Sequence, residues 1–162
     1  MADWLGQNWR WAALNLAALA VMAHLLSMLD RVGTTDFAPL LESARWTVRF
    51  LLFSLAMTPL NTLFGWRYAV RLRKPAGLWA FGFGVLHFLC YVFDVWSDWL
   101  HYPVPDPYAA LGVVALIILA ALAATSTRWA MRRLGKWWKR LHRLGYAAGM
   151  IALVHALLES QT

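Results

Sequence analysis

Charge is scarce in this sequence of 162 residues: 14% is Asp, Glu, Lys or Arg, against about 25% in a typical soluble domain. That shortage excludes a solvated enzyme surface and a charged disordered chain. Acidic residues are the scarcer sign, eight against fifteen basic, for a formal charge of +7. Cysteine occurs once, at Cys90, which excludes an intrachain disulfide framework, a two-cysteine redox motif and a cysteine-rich zinc site. No Walker or dinucleotide glycine motif is present, and no nucleophile–base pair stands out. What the chain has instead is apolar: 61% hydrophobic residues and eleven tryptophans, with a mean hydropathy of +0.52. Indoles in that number suit the boundary between lipid and water.

Crossing a hydrocarbon core takes about 20 helical residues. Runs of that order lie at about 11–29, 46–64, 76–96, 108–127 and 141–158. They lack the period-two alternation of strands, and open sheet edges are not tolerated in lipid. The expected fold is therefore all-α: one polytopic membrane bundle of five transmembrane helices, with residues 1–162 forming a single domain. The first run has no basic stretch before it and no small-residue cleavage site after it, so it reads as a retained span. Pro59 is expected to kink or end the second span, and Pro75 to favour the start of the third.

The charges sort by side. The N-terminus and the second-to-third and fourth-to-fifth connections carry Arg10, Arg67, Arg71, Arg73, Lys74, Arg128, Arg132, Arg133, Lys136, Lys139, Arg140 and Arg143, with Asp3 as the sole acid. The opposite side holds Arg31, Arg45 and Arg49 against Asp30, Asp36, Glu42, Asp94, Asp98, Asp106 and Glu159. By the positive-inside rule the N-terminus is expected in the cytoplasm and the C-terminus in the periplasm. The basicity is first a topology signal; anionic lipid can also use it, and no nucleic acid is needed to explain it.

Ionisable side chains inside a span are costly, and each is a functional candidate. His87 lies well inside the third span. His142 stands at the mouth of the fifth, and His155 about 20 Å deeper at 1.5 Å per residue. The third and fifth spans run the same way, so His87 and His155 fall at similar depth. Neutral imidazole is a good axial ligand, and two helices offering one histidine each can clamp a haem. The plainer alternative is a histidine hydrogen-bonded to a neighbouring helix; the matched depth favours ligation of haem iron by His87 and His155. A helix continued back from His87 would place Arg73 on its face, beside a second haem at His142 or near haem propionates. Thirteen residues leave His142 and His155 on different faces of an ideal helix. Either that helix is distorted, or His142 precedes its regular part, or the two meet different partners. His24 reads as packing or an interhelical hydrogen bond, and His101 as a solvated or partner-facing residue. Asn15, Arg49 and Thr58 read as interhelical glue or snorkelling groups. Cys90 lacks the Cys-x-x-Cys-His context of covalent haem attachment.

From about Asp36 to Leu158 the sequence resembles the MsrQ (YedZ) family of haem-binding membrane subunits, within the ferric-reductase-like transmembrane superfamily. The resemblance is carried by Ala44-Arg45-Trp46-Thr47-Val48-Arg49-Phe50-Leu51-Leu52 with Met57-Thr58-Pro59-Leu60, and by Arg71-Leu72-Arg73-Lys74 with Gly77-Leu78-Trp79-Ala80-Phe81 and Leu86-His87. Further on, Pro107-Tyr108 with Gly112, Thr125-Ser126-Thr127, Arg133-Leu134-Gly135, Trp138-Lys139-Arg140-Leu141-His142 and Val154-His155 continue it. It implies a bacterial inner-membrane electron-transfer subunit carrying b-type haem, one or two copies. His87, His155 and His142 would be its ligands to iron, and Arg73 would stand near a cytoplasmic haem. It also implies electrons from a cytosolic flavin reductase or the quinone pool, delivered to a periplasmic molybdopterin subunit that reduces methionine sulfoxide. Flavin mononucleotide is ascribed to the family as well, without residues here that mark its place.

The sequence departs from that pattern in several places. The family's sixth span has no counterpart before Thr162, and the usual Arg-Pro-Tyr is Asp106-Pro107-Tyr108. Ala44 replaces a glycine, Pro75 follows the basic run, and His24 and His101 are additional. These differences suggest another redox partner, or incorporation into a larger membrane assembly. The alternative function is thus an accessory or structural subunit that keeps the fold with or without haem. A quinol- or ferric-reducing enzyme ranks below both. Whether the chain itself is an enzyme is left open; a non-catalytic electron-transfer role is the expectation.

Overall fold

The computed structural model describes residues 2–31, 38–98 and 107–159, and every regular element among them is helical. In chain order these are α1 (Ala2–Arg31), α2 (Ala38–Phe64), α3 (Ala69–Asp98), α4 (Pro107–Ala124), α5 (Arg128–Leu134) and α6 (Lys136–Glu159). Asn8–Leu29, Ala38–Phe64, Ala69–Phe93 and Lys136–Glu159 are each long and apolar enough to cross a membrane. The fifth candidate combines Tyr108–Ala124 with Arg128–Leu134, two helices bent by 95°. Four to five spans agree with the all-α membrane bundle expected from hydropathy.

The bent pair corrects one detail. The connection expected as a basic loop contains α5, a short helix capped at both ends. The Thr127 side chain accepts from the Ala130 amide at its start. Gly135 ends it in the left-handed region at φ 49°, its N–H bonded to Met131 O. Seven residues with three arginines cannot lie in hydrocarbon, so the chain turns at Ala124 to run along the boundary.

Pro75 departs from expectation by lying inside a helix rather than at its start, and Pro59 does not end α2. Both Pro59 and Pro75 lie inside helices, which continue on either side of them. Each removes a backbone donor, and in membranes neighbouring side chains can re-satisfy the freed backbone. Pro75 is buried and Pro59 exposed, and polar side chains join α2 to α3 near them. Ser54 Oγ donates to Arg73 O at 2.8 Å, and the Arg73 guanidinium donates to Thr58 Oγ1 at 2.9 Å.

The helices pair as two antiparallel hairpins. In the first, Leu40, Thr47, Ser54 and Thr58 of α2 meet His87, Gly84, Gly77 and Arg73 of α3 in turn. In the second, Tyr108, Gly112 and Leu122 of α4, and Thr125 just after it, meet His155, Gly145 and His142 of α6 in the reverse order. Contacts of α3 with α4 and of α2 with α6 close a four-helix ring. Leu51, Ala80, Leu119 and Ala148, one buried residue from each of these helices, form its centre. α1 leans on α3 and α2, packing Ala18 and Leu25 against Phe83 and Leu86. Trp79 Nε1 donates to Asn15 Oδ1 at 3.0 Å, tying α3 to α1. Asn15 therefore acts as interhelical glue.

Candidate functional site

Within the ring α3 and α6 stand on a diagonal, and among the described residues they make no close backbone contact. Each sends one histidine across that diagonal. The His87 and His155 rings face each other edge-on, with centroids 6.3 Å apart. Both are partly buried, at the end of the bundle where α2 and α4 begin.

Each ring is oriented by a backbone carbonyl of another helix. His87 Nδ1 lies 3.1 Å from Leu40 O, and His155 Nδ1 lies 2.9 Å from Tyr108 O. A carbonyl only accepts, so both Nδ1 atoms carry the proton and, in the neutral ring, both Nε2 atoms keep a lone pair. Leu40 O also accepts from Ser43 Oγ at 2.8 Å. These carbonyls belong to the first turns of α2 and α4, so helix starts set the tautomer of both histidines.

Gly112 gives His155 its seat. A Cβ there would lie 3.1, 3.2 and 3.4 Å from Nε2, Cε1 and Cδ2 of His155. Three ring atoms at nearly equal distance mean that the imidazole lies flat on the glycine. His155 Nε2 also comes within 4.0 Å of Glu159 Oε2, one turn further along α6.

His142 occupies the other end and a different environment. α6 is regular from Lys136 onward, so the two histidines of this helix differ by meeting different partners. His142 stacks on Trp138 with centroids 4.1 Å apart, and its Nε2 lies 3.2 Å from Thr125 Oγ1. The Thr125 hydroxyl donates to Ala121 O at 2.7 Å, so it accepts from His142 Nε2–H. His142 is held in the opposite tautomer, with the lone pair on Nδ1. Trp138 Nε1 donates to Thr125 O at 2.9 Å and locks the same corner. Arg73, bound to Thr58, lies within electrostatic range of His142.

The basic residues gather at this second end. Arg10 of α1 and Arg71 of α3 both lie over the Tyr68 ring, at 5.4 and 5.8 Å. Arg133 covers Trp129 and Arg140 covers Trp137 at 5.3 and 4.7 Å. His24 is exposed on α1. His101 and Asp106 lie outside the described residues. Sequence reasoning singled out the three histidines and Arg73 but missed Leu40, Tyr108 and Thr125. Of these, Tyr108 and Thr125 carried a signal, as parts of the Pro107-Tyr108 and Thr125-Ser126-Thr127 stretches, and Leu40 carried none.

Residues 43–153 match the family described as ferric reductase like transmembrane component. The chain is similar to the protein-methionine-sulfoxide reductase heme-binding subunit MsrQ of Bordetella pertussis, 48% identical over 121 residues, covering 70% of this chain and 57% of that protein. The subunit of the same name from Rhodospirillum rubrum is 43% identical over 122 residues, with the same two coverages. The chain thus spans 57% of the length of these relatives. No solved structure matches it significantly.

Proposed function

Because this chain belongs to the ferric reductase like transmembrane component family, we propose that it is a membrane electron-transfer subunit for one b-type haem, which His87 and His155 would hold. The observation that carries this reading is the paired tautomer: two imidazoles from diagonal helices, each with Nδ1–H on a backbone carbonyl and Nε2 free to ligate. Ligating histidines characteristically donate their other ring N–H to such a partner, which fixes the ring and raises its basicity. The donor set fits a macrocycle better than a bare ion. Among the described residues no three His, Cys, Asp or Glu side chains gather into a metal cage, whereas haem asks the protein for axial ligands alone. Bound there, haem supplies one-electron chemistry by cycling its iron between ferric and ferrous states.

The chain's own residues do the rest. The carbonyls of Leu40 and Tyr108 hold the two rings, and Gly112 sets the plane of one of them. His142 is turned with Nε2–H on Thr125, so it is the weaker candidate ligand. Together with Arg73 it suits the anionic edge of a cofactor rather than its metal. We place the basic end in the cytoplasm by the positive-inside rule, which puts the His87–His155 end toward the periplasm of a bacterial inner membrane. The donor would then be a cytosolic flavin reductase or membrane quinone. The acceptor would be a periplasmic partner of the methionine-sulfoxide-reducing type named in the relatives.

A pyridine-haemochrome assay on purified chain tests the assignment. About one haem per chain is expected, lost in His87→Ala and His155→Ala and retained in His142→Ala, with each variant's helicity checked by circular dichroism. A folded wild-type chain that never takes up haem would favour the accessory-subunit alternative and overturn the proposal, as would equal loss in His142→Ala.

A further inference from the structure

Arg49 lies well inside α2, one turn beyond Arg45 and on the same face. The two arginines differ in their surroundings. Arg45 NH1 is paired with Glu42 Oε1 at 2.6 Å. Arg49 has no carboxylate partner among the described residues; its guanidinium lies over the Trp46 ring at 4.7 Å. A guanidinium stays charged at physiological pH, and a charge facing hydrocarbon without a counter-ion is costly.

Arg49 also lines a groove. Because α1 leans mainly on α3, it leaves an open cleft of about 250 Å³ against α2, walled by Leu14, Ala17, Trp46, Arg49, Phe50 and Phe53. Arg49 is the single charged group in those walls. An occupant complementary to them has an apolar tail and an anionic head. The head must lie toward the Glu42–Arg45 end, where α2 becomes polar, within reach of a side chain one turn below. Arginine is suited to bind phosphate oxygens in pairs.

The geometry points to a built site for one anionic phospholipid, with an acyl chain in the α1–α2 groove and its phosphate on Arg49. The site is separate from the histidine pair and does not depend on the haem reading.

Native mass spectrometry of the full chain in mild detergent, titrated with dioleoylphosphatidylglycerol or dioleoylphosphatidylcholine, tests it. Wild type is expected to bind one phosphatidylglycerol in preference to phosphatidylcholine. Arg49→Gln should lower that preference about tenfold, the scale of a lost charged hydrogen bond. Arg49→Lys should retain part of it, and Arg45→Gln should leave it intact. Ala17→Trp keeps the cation but fills the groove, and it should lose the bound lipid. The lysine and tryptophan variants keep the test open if Arg49→Gln fails to fold. Equal binding of both lipids by wild type, unchanged preference in Arg49→Gln, or retention in Ala17→Trp would each overturn the proposal.

Discussion

Gly112→Ala separates the histidine seat from the fold that carries it. In a helix interior, alanine gains about 1 kcal/mol over glycine by restricting the unfolded chain and shielding backbone. Against that gain stands the new methyl group, 3.1 Å from His155 Nε2 and 3.2 Å from Cε1. Carbon contacts settle at about 3.5–4.0 Å, so the ring must retreat by a few tenths of an ångström. It cannot do so freely, because Nδ1 is held by Tyr108 O at 2.9 Å. Overpacking of this kind costs about 1–3 kcal/mol, and the net loss of stability is therefore small, about 0–2 kcal/mol. In the proposed site, however, the displacement would fall on the ring that ligates, with Nε2 nearest the new methyl. Misplacing a group that orients a metal ligand weakens cofactor affinity by about 10–100-fold. Gly112→Ala should therefore melt close to wild type yet retain little haem, or show a shifted reduced-minus-oxidised spectrum. The control is Gly145→Ala on the same helix pair, whose methyl meets Leu122 and Leu55 at an ordinary 3.6 Å; it should melt slightly higher, with a gain of up to about 1 kcal/mol, and leave the haem readout unchanged. A Gly112→Ala protein with full haem and an unaltered spectrum would show that His155 does not rest on this glycine when it ligates.

Two further substitutions probe the frame around the site. A methyl group at Gly149 would lie 2.7 Å from Leu55 Cδ1, so Gly149→Ala should lower stability by about 0–2 kcal/mol once its helix gain is subtracted. Thermal unfolding should show Leu55→Ala relieving that cost in the double variant, and additive losses would refute the contact. Trp79→Phe removes the donor to Asn15 Oδ1 and leaves an amide oxygen unmet, a loss of about 1–3 kcal/mol. Adding Asn15→Ala should cost little more, and independent effects in that cycle would mean the two side chains do not act as a pair.

The membrane bundle was legible because its signal is long and redundant: each span repeats one instruction, apolar, over about 20 residues. Elements whose signal is short or three-dimensional were not. α5 has seven residues and one buried side chain, Ala130, too little for a periodicity to emerge from a run of arginines. Pro59 was expected to kink or end its span and Pro75 to start one, because a sequence shows the missing N–H but not what surrounds it. Ser54 and Thr58 of α2 bond the Arg73 carbonyl and guanidinium near them.

At the candidate site the same division runs through single residues. Depth is a one-dimensional property, so counting along two parallel helices was enough to pair His87 with His155. Which nitrogen each ring offers depends on its partner, and here the partners are main-chain carbonyls of Leu40 and Tyr108. Any residue supplies a carbonyl, so no side chain at those positions could announce the role. His142 makes the converse point. It looks equivalent to the other two in sequence, and Thr125 three-dimensionally reverses its tautomer by spending its only hydrogen on Ala121 O. A histidine in a span thus marks where chemistry can occur, while the hydrogen bond on its second nitrogen decides whether the first one is available to a metal.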